Sequence, residues 1–485
     1  MLKGACIMSD KVRIGLMPNR REVFNINTAR EEYDIIMPII HAQMPEYVEW
    51  VEIDDICEQG MACHIDDIDK IIKKFKEADI DAIFSPFCDF GEESVVTGVA
   101  KEFMLPTLIW GTRDKVSTYE HREKETQCGI FAATKVLRNY GVTFSYIWNC
   151  EADSPDFVNG FAKFVRVANV MKNLRNANIA SIGDRPGGFY SVIHNQLQLI
   201  KNFNISVKPI GLSAVAQLTN KILEENSEEL QAYIKDFSSR VDISEVEDEM
   251  YIPRVCAGVM AIEALMKQNH CRAAGFDCFG VGRAIGLAGS GCIMEGELAD
   301  RGLPTACELD IWGAVSMLIL KSVALGEDAP LLADWTYRHP TNDNGELIWH
   351  GGPFAYSLAD KDKHPEVKAR KFGAFTMYEP HWELKQGHIT MLRMDELDGE
   401  YYVFVGDCKT IEGPETTATY VWVEVEPSWK QWEEKLMFGP FIHHVGGVYG
   451  NYNDELEEVV RYLNNSRRGV KVHLETPYTP GPKSL

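Results

Sequence analysis

The sequence lacks the features that mark membrane, secreted and nucleic-acid-binding proteins. It has no run of 18 apolar residues, so no membrane-spanning helix is expected. Residues Met1 to Asp10 lack a long apolar stretch ending in small residues, so no secretory leader is expected either. Cationic side chains are scarce: 49 Lys and Arg stand against 72 Asp and Glu, a net charge of −23. Such a chain repels phosphate backbones, which speaks against nucleic acid as a partner. Twelve cysteines occur but no Cys-x-x-Cys pair. That argues against a structural zinc site and for reduced, buried thiols in a cytoplasmic protein. Gly-x-x-x-x-Gly-Lys-Ser/Thr, Gly-x-Ser-x-Gly and His-Glu-x-x-His are all missing. Gly280-Val281-Gly282 with Arg283 lacks the acidic partner of a dinucleotide fingerprint, so nucleotide binding is not expected.

What is present is ordinary globular composition, 45% hydrophobic and 25% charged. At 485 residues the chain is long enough for about three domains. Val12–Met17, Val48–Ile53, Ala82–Phe84 and Thr107–Trp110 read as strands. Ala29–Ala42, Ile65–Ala78, Ser94–Phe103 and Gly129–Tyr140 between them have helical periodicity. This alternation predicts a parallel sheet with helices on both faces. The pattern restarts after a long helix, Phe157–Leu174. Strands follow at Ile179–Ile182, Ile205–Ile210 and Ala273–Phe276. Helices follow at Val192–Lys201, Ile222–Asp236, Pro253–Gln268 and Asp310–Leu325. Beyond Asn342 the texture turns to β-type runs: Phe372–Met377, His388–Met394, Tyr401–Val405 and Thr419–Val425. The expected fold is α/β: two doubly wound parallel-sheet domains, 1–170 and 171–341, then a mostly β C-terminal domain, 342–485. A helix, Asp454–Leu463, and a strand, Val470–Leu474, close the chain.

Several segments carry chemistry-grade residues, each with a plain structural alternative. Gly289-Ser290-Gly291-Cys292-Ile293-Met294-Glu295-Gly296-Glu297 sets two glutamates in an apolar stretch, where a helix start would also favour them. Cys307-Glu308-Leu309-Asp310 lies where a strand-like run turns into a long helix. Ligands bind beyond the carboxyl ends of such strands, but either acid also serves as an N-cap. His443-His444 sits in a glycine-rich apolar setting. Neighbours on a strand face opposite ways, so one histidine at most should serve a given site. Trp349-His350-Gly351-Gly352 suits a polyol, with its C–H face on the indole and a hydroxyl on the imidazole, or is an ordinary interdomain turn. Asp89, Glu92 and Arg185 follow strands and either meet a ligand or open the next element. Two acidic segments plus a remote histidine form a carboxylate–carboxylate–imidazole set, which suits Mn²⁺, Mg²⁺ or Fe²⁺ and leaves room for substrate oxygens.

With these motifs in view, the chain resembles the L-fucose isomerase and L-arabinose isomerase superfamily. The resemblance rests on Met294-Glu295-Gly296-Glu297-Leu298, on Ala306-Cys307-Glu308-Leu309-Asp310 before an apolar helix, and on Gly439-Pro440-Phe441-Ile442-His443-His444-Val445-Gly446-Gly447-Val448-Tyr449-Gly450. It implies a metal-dependent aldose–ketose isomerase that acts on a free sugar through an ene-diolate. It implies a divalent metal, Mn²⁺ foremost, held by Glu295, Asp310 and His444, with Glu308 and His443 as competitors. Glu295 and Asp310 would be the catalytic pair, and His350, Trp349, Arg185 and Asp89 would contact the sugar. The resemblance further implies a homo-oligomer, trimer or hexamer. Two other classes compete: another ene-diolate enzyme, an epimerase or lyase, and a non-catalytic sugar-binding protein.

Overall fold

The computed structural model describes residues 11–114, 124–287, 291–372, 375–464 and 469–479. Its first sheet contains β1 (Val12–Leu16), β2 (Val48–Glu52), β3 (Ala82–Phe87), β4 (Thr107–Gly111) and β5 (Ser145–Tyr146). All pairings are parallel, in the order β2-β1-β3-β4-β5. The connecting helices are α1 (Ile26–His41), α2 (Asp67–Glu77), α3 (Glu93–Phe103) and α4 (Thr126–Asn139), and α5 (Pro155–Leu174) follows. Two separate apolar clusters record the two covered faces. One joins Val12, Ile14 and Leu16 to Ile36 and Ile40 of α1 and to Phe157 and Phe161 of α5. The other joins Ile83 and Ile109 to Phe75, Val95, Val99 and Ile130 of the remaining helices. Alternate residues of each strand feed opposite clusters, as the pleat requires.

The second sheet contains β6 (Asn178–Ile182), β7 (Ser206–Ile210), β8 (Cys271–Phe276) and β9 (Thr305–Cys307), again all parallel, in the order β7-β6-β8-β9. Around it lie α6 (Gln196–Phe203), α7 (Leu212–Glu225), α8 (Glu228–Arg240), α9 (Tyr251–Gln268), α10 (Cys278–Ala284), α11 (Cys292–Asp300) and α12 (Ile311–Val323). The single helix expected over Ile222–Asp236 is in fact two. Asn226 takes a left-handed conformation (φ 44°) that ends α7, and the Ser227 side chain accepts from Leu230 N–H to open α8.

The third sheet contains β10 (Leu331–Arg338), β11 (Gly345–His350), β12 (Glu366–Phe372), β13 (Phe375–Glu383), β14 (His388–Leu397), β15 (Glu400–Ile411) and β16 (Thr419–Val425). After α13 (Trp429–Phe438) come β17 (His444–Tyr449), α14 (Asn453–Leu463) and β18 (Val472–Glu475). The order is β12-β13-β16-β11-β10-β17-β14-β15-β18, mostly antiparallel, and a β15–β16 pairing closes the six strands from β16 to β15 into a barrel. The fold class is therefore the one expected: two parallel-sheet α/β parts, then a mostly β part. Among the described residues no helix is long and apolar enough to cross a membrane.

The chain forms two compact units. Of the described residues, those within 11–172 and 454–469 make one, and those within 173–453 and 470–479 make the other. Helix α14 thus belongs with the first sheet. Tyr462 Oη lies 2.8 Å from Ser145 Oγ, and Lys163 Nζ lies 3.2 Å from Glu458. In the other unit one continuous apolar core runs from Ile182 and Val255 to Phe404 of β15 and Trp432 of α13.

Two glycines of the Met-Glu-Gly-Glu and His-His-Val-Gly-Gly motifs allow close approach at this junction. A Cβ on Gly296 of α11 would stand 2.8 Å from the Phe354 carbonyl oxygen. A Cβ on Gly446 of β17 would stand 2.8 Å from Leu320 of α12 and 3.1 Å from the Leu392 carbonyl. Gly296→Ala gains up to ~1 kcal/mol of helix propensity but meets backbone, where overpacking costs ~1–3 kcal/mol. Its midpoint in urea should fall; a rise would show that α11 has room to move off the 353–354 turn.

Candidate active site

Asp310 caps α12, its Oδ1 accepting from Gly313 N–H at 2.9 Å, so the capping alternative for this residue is realised. The same carboxylate is paired with Arg393 of β14, whose Nη1 reaches Oδ2 and whose Nη2 donates to Oδ1 at 3.2 Å. Arg393 also donates to Asp395 from Nε at 3.0 Å and Nη2 at 2.7 Å. Both Asp310 and Arg393 are fully buried. Burial opposes ionisation of Asp310, yet Arg393 and the hydrogen bond from His444 hold its carboxyl below the usual range.

His444, the first residue of β17, places Nδ1 2.8 Å from Asp310 Oδ2. Asp310 is held ionised, so Nδ1 carries the proton and donates it. Burial lowers the basicity of this imidazole, but Asp310, Glu308 and Asp334 outweigh it and raise His444 to about 9. Its other nitrogen, Nε2, lies 3.2 Å from Glu308 Oε2 and 3.6 Å from Asp334 Oδ1. Asp334 Oδ1 in turn lies 3.8 Å from His350 Nε2 and 4.0 Å from His443 Nε2. Glu308 Oε2, Asp334 Oδ1, His350 Nε2 and His444 Nε2 are buried atoms with no hydrogen-bond partner among the described residues. Two overlapping groups of metal-ligand spacing result: Glu308–His443–His444 and Asp334–His350–His444. Four desolvated polar atoms facing one space cost ~1–3 kcal/mol each unless something fills it. Two carboxylate oxygens with imidazole nitrogens fit a divalent cation such as Mn²⁺ or Mg²⁺.

The local structure explains these positions. Glu308 (φ 58°) and Leu309 (φ 59°) are consecutive left-handed residues between β9 and α12. Each costs ~1–2 kcal/mol for a residue with a Cβ. This strained corner lets Glu308 face His444 Nε2 while Asp310, two residues on, meets Nδ1. Asp334 stands directly opposite His444 in the β10–β17 ladder, where side chains share a face. His443 lies in a bend ahead of β17, so the alternation expected of strand neighbours does not apply, and both rings approach Asp334.

The remaining candidates have other immediate neighbours. Glu295 is buried in α11 and grouped with Cys278, Cys292 and Cys307, with burial first and Cys292 next raising its carboxyl well above the usual range. Glu297 accepts from Tyr233 Oη at 2.7 Å and Arg240 Nη2 at 3.0 Å. Gly289 and Ser290 lie outside the described residues. Trp349 donates to the Thr417 carbonyl and packs with Leu347, Tyr420 and Trp422, its ring centre 6.3 Å from that of His350. Arg185 donates to the adjacent Pro186 carbonyl and lies over Tyr190. Asp89 belongs to the other unit, accepting from Arg21 N–H at 2.9 Å and Gly91 N–H at 2.8 Å.

Sequence reasoning missed Asp334 and Arg393. Asp334 is a single acid in a strand with no motif around it. Its one signal is its sixteen-residue spacing to His350, a hairpin's length, which places the two on adjacent strands. Arg393 lies in a buried strand segment, Ile389–Met394, whose other residues are uncharged, and a buried cation there implies a buried carboxylate partner.

Removing Arg393 leaves the Asp310 charge buried without its cation, so Arg393→Met should cost about 3–5 kcal/mol in denaturant unfolding. A loss below ~1 kcal/mol would show that the carboxyl can shed its charge. Asp89 supplies a pH prediction. Burial raises it to about 6, against ~3.9 unfolded, so the folded chain holds this proton more tightly. Stability should therefore fall by up to ~2–3 kcal/mol as pH rises from ~4 to ~6, and Asp89→Asn should flatten that fall. A fall of equal size in the variant would assign it to other groups.

Comparison with known proteins matches this architecture at both ends. The family model described as fucose/sulfoquinovose isomerase, N-terminal domain, matches residues 15–175. That described as L-fucose isomerase, C-terminal domain, matches residues 365–467. Sulfoquinovose isomerases from Priestia aryabhattai and Priestia megaterium are each 24% identical over 453 residues, covering 91% of this chain and 97% of theirs. The sulfoquinovose isomerase of Alkalicoccus urumqiensis is 23% identical over 409 residues, covering 82% and 88%. With both terminal parts matched by the family and relatives aligned along nearly the whole length, the chain belongs to the fucose isomerase-like family of aldose–ketose isomerases.

Proposed function

We propose that the chain is a metal-dependent isomerase that interconverts an aldose and its ketose through an ene-diolate, at the site formed by Glu308, Asp334, His350 and His444. The observation that carries this reading is the set of four unpartnered buried atoms on those residues, separated stepwise by 3.2, 3.6 and 3.8 Å. Glu308, Asp334 and His444 would hold the cation, with His350 beside Asp334. A bound divalent ion, Mn²⁺ by this donor set, would act as a Lewis acid on the sugar's adjacent oxygens.

The chain's own groups supply the rest. Asp310, kept ionised by Arg393, fixes the orientation and tautomer of His444, so that Nε2 faces the site. Glu308 and Asp334 are the two carboxylates within reach of a bound sugar. One removes the C2 proton, and the other acid–base group returns a proton to C1. The imidazole of His350 is placed to hydrogen-bond a sugar hydroxyl. In this reading Glu308 and Asp334 take the catalytic roles that the motif resemblance suggested for Glu295 and Asp310, and Asp310 becomes a positioning residue. The relatives' names make sulfoquinovose the first sugar to test, beside L-fucose and L-arabinose. The reading includes a homo-oligomer, whose size light scattering would report.

The test is incubation with these aldoses and Mn²⁺ in deuterated water, with and without chelator. Ketose carrying deuterium at C1, abolished by chelator, is the expected result. Activity that survives thorough chelation would remove the metal from the reaction. No ketose from any sugar, with metal bound, would move the chain to another ene-diolate reaction. Glu308→Gln and Asp334→Asn should each lower kcat by ~10²–10⁴-fold. Full activity in both would exclude them as the acid–base pair.

A further inference from the structure

A second cluster of metal-grade donors lies outside that site. Cys278 is the first residue of α10, Cys292 the first of α11, and Cys307 the last of β9. Glu295 follows Cys292 by three residues, so both project from one face of α11. The Sγ atoms of Cys278 and Cys307 are 3.3 Å apart, and those of Cys292 and Cys307 are 3.9 Å apart. Together with a Glu295 oxygen, all four donor atoms lie within 4.8 Å of one another. Every member is buried, and neither Glu295 oxygen has a hydrogen-bond partner among the described residues.

We propose that Cys278, Cys292, Cys307 and Glu295 form a second cation site, a tetrahedral three-thiolate, one-carboxylate site for a zinc-class ion. Zinc–sulfur bonds of ~2.3 Å at tetrahedral angles put sulfurs about 3.8 Å apart, and the separations of 3.3 and 3.9 Å bracket that value. The missing Cys-x-x-Cys pair argues against a structural zinc site, and this cluster departs from that expectation because its donors come together from three separate segments. Buried cysteines alone behave as small apolar residues, as Cys256 and Cys408 illustrate in their own apolar surroundings. A thiol core, however, satisfies a buried carboxyl poorly, because thiols are weak donors and neither Glu295 oxygen makes a hydrogen bond of ordinary geometry. A cation satisfies that carboxyl and the three sulfurs at once, and the thiol protons leave to solvent as it binds. Thiolates select zinc-class ions over Mg²⁺ and Mn²⁺, whereas the carboxylate–imidazole site does the reverse, so the two sites would load different ions. Position gives the second ion a role. It would tie the end of β9 to the starts of α10 and α11, next to the strained Glu308–Leu309 corner, and so hold Glu308 in place.

The full-length chain, reduced and handled without oxygen, should bind zinc in addition to the isomerase metal. Replacing zinc by Co²⁺ should give thiolate-to-cobalt charge-transfer absorption in the near ultraviolet. Cys292→Ser should weaken that band and lower zinc affinity by at least about tenfold, the loss seen on removing even an outer partner of a ligand. Cys408→Ser, outside the cluster, should leave both unchanged. His444→Ala should also keep the band, which separates this site from the carboxylate–imidazole site whatever becomes of the isomerase reading. If Cys292→Ser does not fold, Glu295→Gln serves instead: it should keep a thiolate band while zinc affinity drops. A wild-type chain with no charge-transfer band under Co²⁺, or a band indifferent to both cluster substitutions, would overturn the proposal.

Discussion

The Asp310–Arg393 ion pair is the constraint on which the site depends. Burying either charge alone is prohibitive, and pairing offsets the cost only when the remaining hydrogen bonds are satisfied. Here they are: Arg393 spans Asp310 and Asp395, while Asp310 also caps α12 and accepts from His444 Nδ1. One carboxylate therefore ties a helix start, a barrel strand and an imidazole into one rigid arrangement. His444 has no freedom to rotate, and its Nε2 must face Glu308 and Asp334. The oxygens that a cation needs come from residues whose own positions are set by a strained corner and by a strand ladder.

That corner also separates two chemistries. Cys307 and Glu308 are adjacent in sequence, yet one joins a cluster of thiols and the other a cluster of carboxylates and imidazoles. Two left-handed residues in succession turn the backbone so that neighbouring side chains serve opposite sides. Such strain persists only where the surroundings over-determine it. The cap at Asp310 restrains one end of the corner, and the thiol cluster restrains the other.

Much of the fold was legible because periodicity reports burial. Strands covered on both faces read as short apolar runs, and amphipathic helices such as α2 show Ile71 and Phe75 one turn apart on the buried side. The division at Asn226–Ser227 was less legible, because helical residues flank a cap that two polar residues create. Of the site, His444 and the segment 307–310 were legible from motif and setting, and Glu308 was weighed there against Asp310. Asp334 was not, because an isolated acid in a strand has no local signature. Glu295 attracted a site role because a glutamate in an apolar helix is unusual. The oddity is real, but its surroundings are thiols.

The sequence by itself determined many of the helix and strand segments, that both α/β parts carry parallel sheets, and which few residues are too polar for their surroundings. Those are local properties, set by side-chain periodicity and by the cost of burying polar groups. Only the tertiary structure decided which acid meets which histidine. Glu308 and Asp310 are two residues apart and chemically alike, so spacing cannot rank them. The β10–β17 register brings Asp334 opposite His444, and the Arg393 charge claims Asp310 for the interior. Both are long-range pairings, which no stretch of neighbouring residues encodes.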